Sequence, residues 1–176
     1  MIVKSYDYSS LITDNDEEDA CRIIKSIIDS GNYFTNSPPF QTKENLFARP
    51  EPVWLKYRMT FLTSVFLYLG NEHRVANMMA WSFMSNKDSQ PNRDRLWHHH
   101  NKHDMRGLSG ILYLHVPDIH DEAGTEMAPN GPNGEGRFFV GPNKHTWNIY
   151  PSEMWHRPGI IRTDEYRYII AVDIGY

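Results

Sequence analysis

Histidines give the clearest chemical signal in this chain. Three are consecutive, at His98, His99 and His100, and another, His156, lies much later in the sequence. Neutral imidazole is the commonest metal ligand in proteins. Because side chains alternate along a strand, His98 and His100 would share one face while His99 points the other way. Joined by a third imidazole from a distant strand, they could hold a metal and leave positions open for chemistry.

The segments around these histidines have the pattern of short β-strands. Apolar and aromatic runs recur between turn signals, at 78–84, 96–100, 110–114, 124–127, 137–140, 145–150 and 166–174. Clusters of proline, glycine and asparagine separate the later runs. Several short strands at this spacing predict a sandwich or a small barrel.

Two helices are predicted ahead of the strands. The first follows capping residues at 14–16 and stops at Gly31, and its apolar stripe consists of Ala20, Ile23, Ile24, Ile27 and Ile28. The second runs from about Pro52 to Leu69, stops at Gly70, and is apolar on more than one side, so we expect protein to cover it. Helices followed by strands indicate an α+β, mainly β fold, in which the helices support one sheet of a jelly roll.

Composition limits the classes of function. The 176 residues indicate a single domain, 1–176, with 1–74 mostly helical and 75–176 forming the jelly-roll core. A net charge of −4 and a pI of about 6.1 provide no global basic field, so duplex nucleic acid is not an expected partner. The single cysteine, Cys21, suits a reducing cytosol, and no apolar stretch resembles a membrane span or signal peptide. These features predict a cytoplasmic protein that does not bind membranes.

The last predicted strand carries an arginine at Arg167. Its alternate residues divide into one face with Arg167, Ile169 and Ala171 and another with Tyr166, Tyr168, Ile170 and Val172. Both faces are largely apolar, so the strand is expected to be covered on both sides. A desolvated guanidinium needs an anionic partner, which would be either a structural carboxylate or the carboxylate of a ligand.

The order of these features resembles that of the Fe(II)/2-oxoglutarate-dependent dioxygenases, which have a double-stranded β-helix fold. The features are the histidine cluster, the strand Gly110-Ile111-Leu112-Tyr113-Leu114, the segment Ala123-Gly124-Thr125-Glu126, His156 and Arg167, and they span roughly 80–176. In that family the final histidine ligand is commonly followed, about ten residues later, by an arginine that binds the far carboxylate of 2-oxoglutarate. The resemblance therefore implies these roles for His156 and Arg167, and it implies that Tyr113 contacts the same carboxylate.

The resemblance also implies the cofactors and the reaction. Fe(II) would be held by His98, His100 and His156, and 2-oxoglutarate would chelate the metal through its keto acid. The enzyme would decarboxylate 2-oxoglutarate and oxidise a second substrate with O₂, with hydroxylation as the default outcome. That substrate would be a protein side chain, a nucleobase or a small metabolite. Trp155 and Arg157 flank the last ligand and would either line the substrate mouth or pack beneath it.

The chain departs from the family at its first motif. That motif is normally His-x-Asp or His-x-Glu, which supplies two of the three ligands of a facial triad, and no such motif occurs near the cluster. Three solutions stay open at this point. His98 and His100 act with His156 as three histidines, or Asp104 or Glu126 adds a carboxylate, or His103 is the true ligand. Spacing favours His98 and His100, and Asp104 is the preferred carboxylate.

A second resemblance leads to a different function. The spacing His98-x-His100-x₃-Asp104, followed by Gly110, is similar to the first cupin motif with Asp in place of Glu, and Pro151-x₄-His156 is similar to the second. Cupins share the jelly roll but perform varied metal chemistry. The alternatives are thus a cupin-type metalloprotein that does not use 2-oxoglutarate, or a jelly-roll binding module without catalysis. Arg167 belongs to neither cupin motif and favours the dioxygenase.

Overall fold

Two antiparallel sheets form the framework of the protein. We analysed a computed structural model that describes residues 2–34, 40–70, 75–89, 92–100 and 107–176. Its strands are β1 (Lys4–Asp7), β2 (Phe40–Gln41), β3 (Asn77–Ser85), β4 (Gly107–His115), β5 (Thr125–Ala128), β6 (Phe138–Val140), β7 (Thr146–Pro151), β8 (Trp155–Pro158) and β9 (Arg167–Gly175). The larger sheet has the order β1-β7-β4-β9-β3-β2, and the smaller sheet has the order β6-β5-β8.

Helix α1 (Asp14–Asp29) and helix α2 (Pro52–Leu69) lie against the larger sheet. A capping box starts α1: the Thr13 hydroxyl accepts from the Asp16 amide, and the Asp16 carboxylate accepts from the Thr13 amide. The N-cap is therefore Thr13 rather than one of residues 14–16. The structure gives α2 the bounds that its apolar run and Gly70 predict. None of the described helices is long and apolar enough to cross a membrane.

The main core fills the space between the helices and the larger sheet. Phe61 of α2 packs edge-on against Trp147 of β7, with ring centroids 5.0 Å apart, and both side chains are fully buried. Gly110 of β4 makes this approach possible, because a Cβ there would lie 2.6 Å from a Phe61 ring carbon. Aromatic rings that bury this much area contribute heavily to stability.

Strand alternation assigns the other face of the larger sheet to a second, smaller core and a cavity. On β4, Leu108, Leu112 and Leu114 join the core beneath the helices, whereas Ile111 and Tyr113 join the cluster on the opposite face. The smaller sheet covers that opposite face through Met127 of β5. The result is a mainly β jelly-roll sandwich supported by helices, which confirms the predicted fold class.

The structure corrects several local predictions. The segment 96–100 is not a regular strand: a 3₁₀ turn ends at Leu96, and His98 forms a single bridge to His156. Besides its two helices, the 1–74 region contributes the edge strands β1 and β2. Helix α2 is covered on one side only, since its outer face is exposed at Leu55, Met59, Phe66 and Leu67.

The packing of α2 gives a matched test of the core. We expect Phe61→Ala to lower the free energy of unfolding by about 3–5 kcal/mol, because the cavity left against Trp147 and Gly110 removes both transfer energy and contacts. Phe66→Ala changes the same residue type on the exposed side of the same helix and should cost under about 0.5 kcal/mol. Urea unfolding of both variants measures the difference. Equal losses would contradict the proposed location of the core.

Candidate metal centre

Main-chain hydrogen bonds bring the two remote histidine segments together. The His98 amide donates to the His156 carbonyl at 3.1 Å, and the His156 amide donates to the His98 carbonyl at 2.9 Å. The His100 amide then donates to the Ser152 carbonyl at 2.7 Å. The segment 98–100 thus runs antiparallel to 152–156. Directly paired residues of antiparallel segments project to the same side, so His98 and His156 face one another.

The three rings converge on one point. Ring centroids are 4.2 Å apart for His98 and His156, 4.9 Å for His100 and His156, and 5.1 Å for His98 and His100. One nitrogen of each ring lies within 4.8 Å of the nitrogens of the other two. Zn–N and similar metal–nitrogen bonds are about 2.0–2.1 Å long, so small side-chain adjustments suffice to place all three nitrogens around one ion.

Hydrogen bonds at Nδ1 select the nitrogen that each ring would offer to a metal. Nδ1 of His98 lies 2.8 Å from the Leu96 carbonyl oxygen, and Nδ1 of His156 lies 2.9 Å from that of Met154. A carbonyl only accepts, so both Nδ1 atoms carry the proton. Nε2 is then the nitrogen with an available lone pair. Histidines held in this way by acceptors behind them are typical of metal ligands.

His100 differs from the other two in its acceptor. Its Nδ1 lies 2.6 Å from both carboxylate oxygens of Asp173, a residue of β9. The Ser109 hydroxyl donates to the same carboxylate at 2.7 Å. The sequence analysis did not single out Asp173. Strand alternation could have found it, because Asp173 continues the face that begins with Arg167, Ile169 and Ala171.

Burial keeps two of the rings neutral. Desolvation lowers the pKa of His98 below 6.5, and it lowers the pKa of His156 well below that value, because the charged imidazolium loses its water. The neighbouring imidazoles lower both values further. Metal binding requires neutral imidazole, so the site is prepared for a cation at neutral pH.

His99 points away from this group. Its ring packs edge-on against Trp155 with a centroid separation of 4.5 Å. His99 lines a different surface pocket, together with Trp81 and Met79. The triplet is therefore divided between a pair that faces the centre and a middle residue that packs outside it.

A cavity of about 280 Å³ extends from the histidines between the two sheets. Its lining residues include His98, His100, His156 and Arg167. Arg167 is 2% exposed, and its Nη1 donates to the carbonyl oxygens of Ala123 at 2.7 Å and Gly124 at 3.3 Å. Apolar side chains of Ile111, Ile169 and Ala171 line the region as well.

Solved structures of one enzyme class share this architecture, although no family model matches the sequence and no curated protein is significantly similar to it. SnoK, a non-heme α-ketoglutarate-dependent carbocyclase of nogalamycin biosynthesis, superposes with a TM-score of 0.73 at 9% identity over 98% of this chain and 79% of its own. The collagen prolyl hydroxylase of Paramecium bursaria chlorella virus-1, solved with 2-oxoglutarate, gives 0.61 at 12% identity over 99% and 96%. A Trichoplax adhaerens prolyl hydroxylase, solved with a hypoxia-inducible-factor peptide, gives 0.62 at 12% identity over 98% and 83%.

The chain has the fold of the Fe(II)/2-oxoglutarate-dependent oxygenases. The resemblance that the sequence motifs indicated is thereby confirmed at the level of the fold. The metal-ligand roles given to the histidines stay a prediction. At the position where the resemblance implies His-x-Asp or His-x-Glu, the sequence has His98-His99-His100.

The structure places one of the candidate carboxylate ligands, Glu126, and leaves the other, Asp104, outside the described residues. Glu126 of β5 is buried in an ion pair with Arg157, at 2.7 Å, and it is not part of the histidine group. Arg157 also pairs with Asp94 and lies over the Trp97 ring, so these contacts hold its guanidinium in place. Asp104 and His103 lie outside the described residues. Among the described residues, the histidine group contains three imidazoles and no carboxylate.

Tyr113 lies deeper than the sequence analysis assumed. Its hydroxyl is 2.6 Å from the Thr125 hydroxyl, and burial raises its pKa to about 12. Thr125, rather than Tyr113, contributes to the cavity wall. Tyr150 of β7 lines the wall too, with its ring 5.1 Å from that of His156. The contact of Tyr113 with a cosubstrate stays a prediction. Of the two hydroxyl residues, Thr125 is the one that lines the cavity.

A histidine-to-alanine series tests the ligand set. We expect His98→Ala, His100→Ala and His156→Ala each to weaken Co(II) binding by more than about 100-fold, because loss of a direct ligand should exceed the 10–100-fold cost of losing a partner behind it. His99→Ala is the matched control and should bind Co(II) as the parent does. Isothermal titration calorimetry of the metal alone measures the four affinities. If His99→Ala lost as much Co(II) affinity as the other three variants, the division of the triplet would be refuted.

The lowered pKa values of His98 and His156 predict acid sensitivity of the metal-free protein. Both folded values lie below the unfolded value of about 6.5, so the unfolded state binds more protons as pH falls through that range. Stability should therefore decrease below about pH 6.5. Thermal melts between pH 7.5 and 5 should show this decrease, and it should be smaller in His156→Gln. His115→Gln, at a partly exposed histidine outside the histidine group, serves as control; a decrease that His156→Gln leaves unchanged would count against the buried imidazoles as its cause.

Proposed function

We propose that this protein is an Fe(II)- and 2-oxoglutarate-dependent oxygenase that hydroxylates an as yet unidentified substrate. One observation carries the proposal: three imidazoles and one buried guanidinium line the same cavity. The imidazoles suit a transition metal, and the guanidinium suits a carboxylate. 2-Oxoglutarate has a metal-chelating keto acid at one end and a carboxylate at the other, so it matches both groups.

The chain's own residues would do three things for the cosubstrate. His98, His100 and His156 would hold the iron. Arg167, assisted by the Thr125 hydroxyl, would bind the far carboxylate and so fix the direction of the keto acid. The apolar walls at Ile111, Ile169 and Ala171 would exclude water around the carbon chain, which strengthens the polar contacts at both ends.

Iron, when bound, supplies the site where O₂ oxidises 2-oxoglutarate to succinate and CO₂ and where the second substrate receives the remaining oxygen atom. Holding the cosubstrate at two points before O₂ arrives restricts the reaction to one orientation. The second substrate would be a protein side chain, a nucleobase or a metabolite. Proteins of this fold include one bound to a peptide and one from nogalamycin biosynthesis, so both macromolecular and small substrates are candidates.

The all-histidine ligand set favours one rival, a cupin-type metalloprotein that does not use 2-oxoglutarate. Anaerobic addition of Fe(II) and then 2-oxoglutarate separates the two. An oxygenase should develop the visible charge-transfer colour of the chelate and form succinate when air is admitted. A cupin-type protein would bind the metal without responding to 2-oxoglutarate, and a binding module would do neither.

Arg167→Lys tests the cosubstrate site. It keeps the charge but loses the two-pronged geometry, so the affinity for 2-oxoglutarate should fall by about 10–100-fold while Co(II) affinity stays within about threefold. Arg162→Lys, on the exposed side of the β8–β9 connection, is the matched control and should leave both affinities unchanged. Titration of the charge-transfer band and calorimetry of the metal measure the two affinities. Equal losses of both would contradict the role given to Arg167.

A further inference from the structure

Among the residues that the structure describes, the negative charge beside the histidine group lies behind one ring and not among the ligand atoms. The Asp173 carboxylate contacts His100 Nδ1 through both oxygens at 2.6 Å. In contrast, the acceptors behind His98 and His156 are neutral main-chain carbonyls. The chain therefore places a carboxylate behind one of the three imidazoles, and that imidazole stands where the related motif has Asp or Glu.

Charge balance explains why this position matters. Two histidines and a carboxylate reduce the two positive charges of Fe(II) to one, whereas three neutral histidines leave both. A carboxylate bonded to Nδ1–H polarises the ring, makes Nε2 more basic and restores the negative charge within a poorly solvated cavity. Asp173 is itself held in place, because Ser109 lies directly across from it on β4 and donates to it at 2.7 Å.

We propose that Asp173 is a positioning residue that supplies, through His100, the negative charge that a metal-bound carboxylate supplies in a two-histidine, one-carboxylate centre. This inference rests on the proposed metal centre, but it does not require 2-oxoglutarate. It assigns to β9 an indirect part in metal binding, in addition to the part proposed for Arg167 in cosubstrate binding. It also explains how a His-x-His sequence serves in a fold whose usual motif is His-x-Asp or His-x-Glu.

A double-mutant cycle on positions 100 and 173 separates this role from a purely structural one. Asp173→Asn keeps the shape and an acceptor oxygen but removes the charge, so it should weaken Co(II) binding by about 10–100-fold. In the His100→Asp background a carboxylate is already at the metal, so adding Asp173→Asn should cost less than about threefold or tighten binding. A purely structural role would cost the same in both backgrounds, since it would not depend on the residue at position 100.

Spectra and controls complete the test. The visible absorption bands of bound Co(II) report the ligand field and should move in Asp173→Asn, whereas Asp173→Glu, which keeps the charge, should recover part of the affinity. Asp19→Asn makes the same change at an exposed position of α1 outside the histidine group, so it should bind Co(II) within about threefold of the parent. Thermal melts of the metal-free proteins identify any variant that fails to fold. If Asp173→Asn does not fold, Asp173→Ser, which also removes the charge, replaces it in both backgrounds.

The outcomes distinguish this inference from the proposed function. If the cost of Asp173→Asn depends on His100 as expected while 2-oxoglutarate produces no response, the result would support the role of Asp173 and overturn the oxygenase. A protein that forms the coloured chelate but shows equal costs in both backgrounds, or no cost in either, would keep the oxygenase and overturn the role of Asp173. Absence of Co(II) binding by the parent protein would overturn both.

Discussion

The site depends on a short main-chain pairing between two segments that are far apart in the sequence. Two hydrogen bonds join His98 to His156, and a third joins His100 to Ser152. Bringing such remote residues together costs loop-closure entropy, which the surrounding sheets must offset. Once paired, however, the register alone determines that the imidazoles share one side. The three nitrogens converge because of this backbone geometry.

The two faces of the larger sheet have different roles, one in folding and the other in binding. One face packs against α1 and α2 around Phe61 and Trp147, and the other face lines the cavity. Every second residue of β9 from Arg167 to Asp173 faces that cavity. A shift of one residue in strand pairing would exchange the two sets and destroy both core and site. The long pairings of β9 with β3 and β4 specify the register against such a shift.

The sequence predicted the parts of the molecule that have strong periodicity. Apolar patterns and turn residues predict helix α2, strands β3 and β9 and the general jelly-roll class. Strand alternation predicts that His98 and His100 share one face and that His99 points the other way. It did not predict β8, because Trp155–Pro158 is short, ends at a proline and mixes a histidine with an arginine. The prediction of a regular strand at 96–100 was wrong, because this segment forms only a single bridge, from His98 to His156. Thr125 and Tyr150 were missed because an ordinary apolar strand gives no signal of a cavity wall.

The position of Asp173 shows why a motif search alone would misjudge this chain. A search for His-x-Asp fails at His100, and the failure suggests that the negative charge is absent. Histidine is longer than aspartate, so at the same position one ring nitrogen can face the metal while the other reaches β9. In our proposal the sheet therefore supplies the carboxylate. Because Arg167 and Asp173 lie six residues apart on one face of a single strand, roughly 20 Å along its axis, the group proposed to orient the cosubstrate and the group proposed to support the metal share one rigid element. Sites built on strands hold their geometry better than sites built on loops, and this arrangement places both ends of the proposed reaction centre on the most extensively paired strand of the fold.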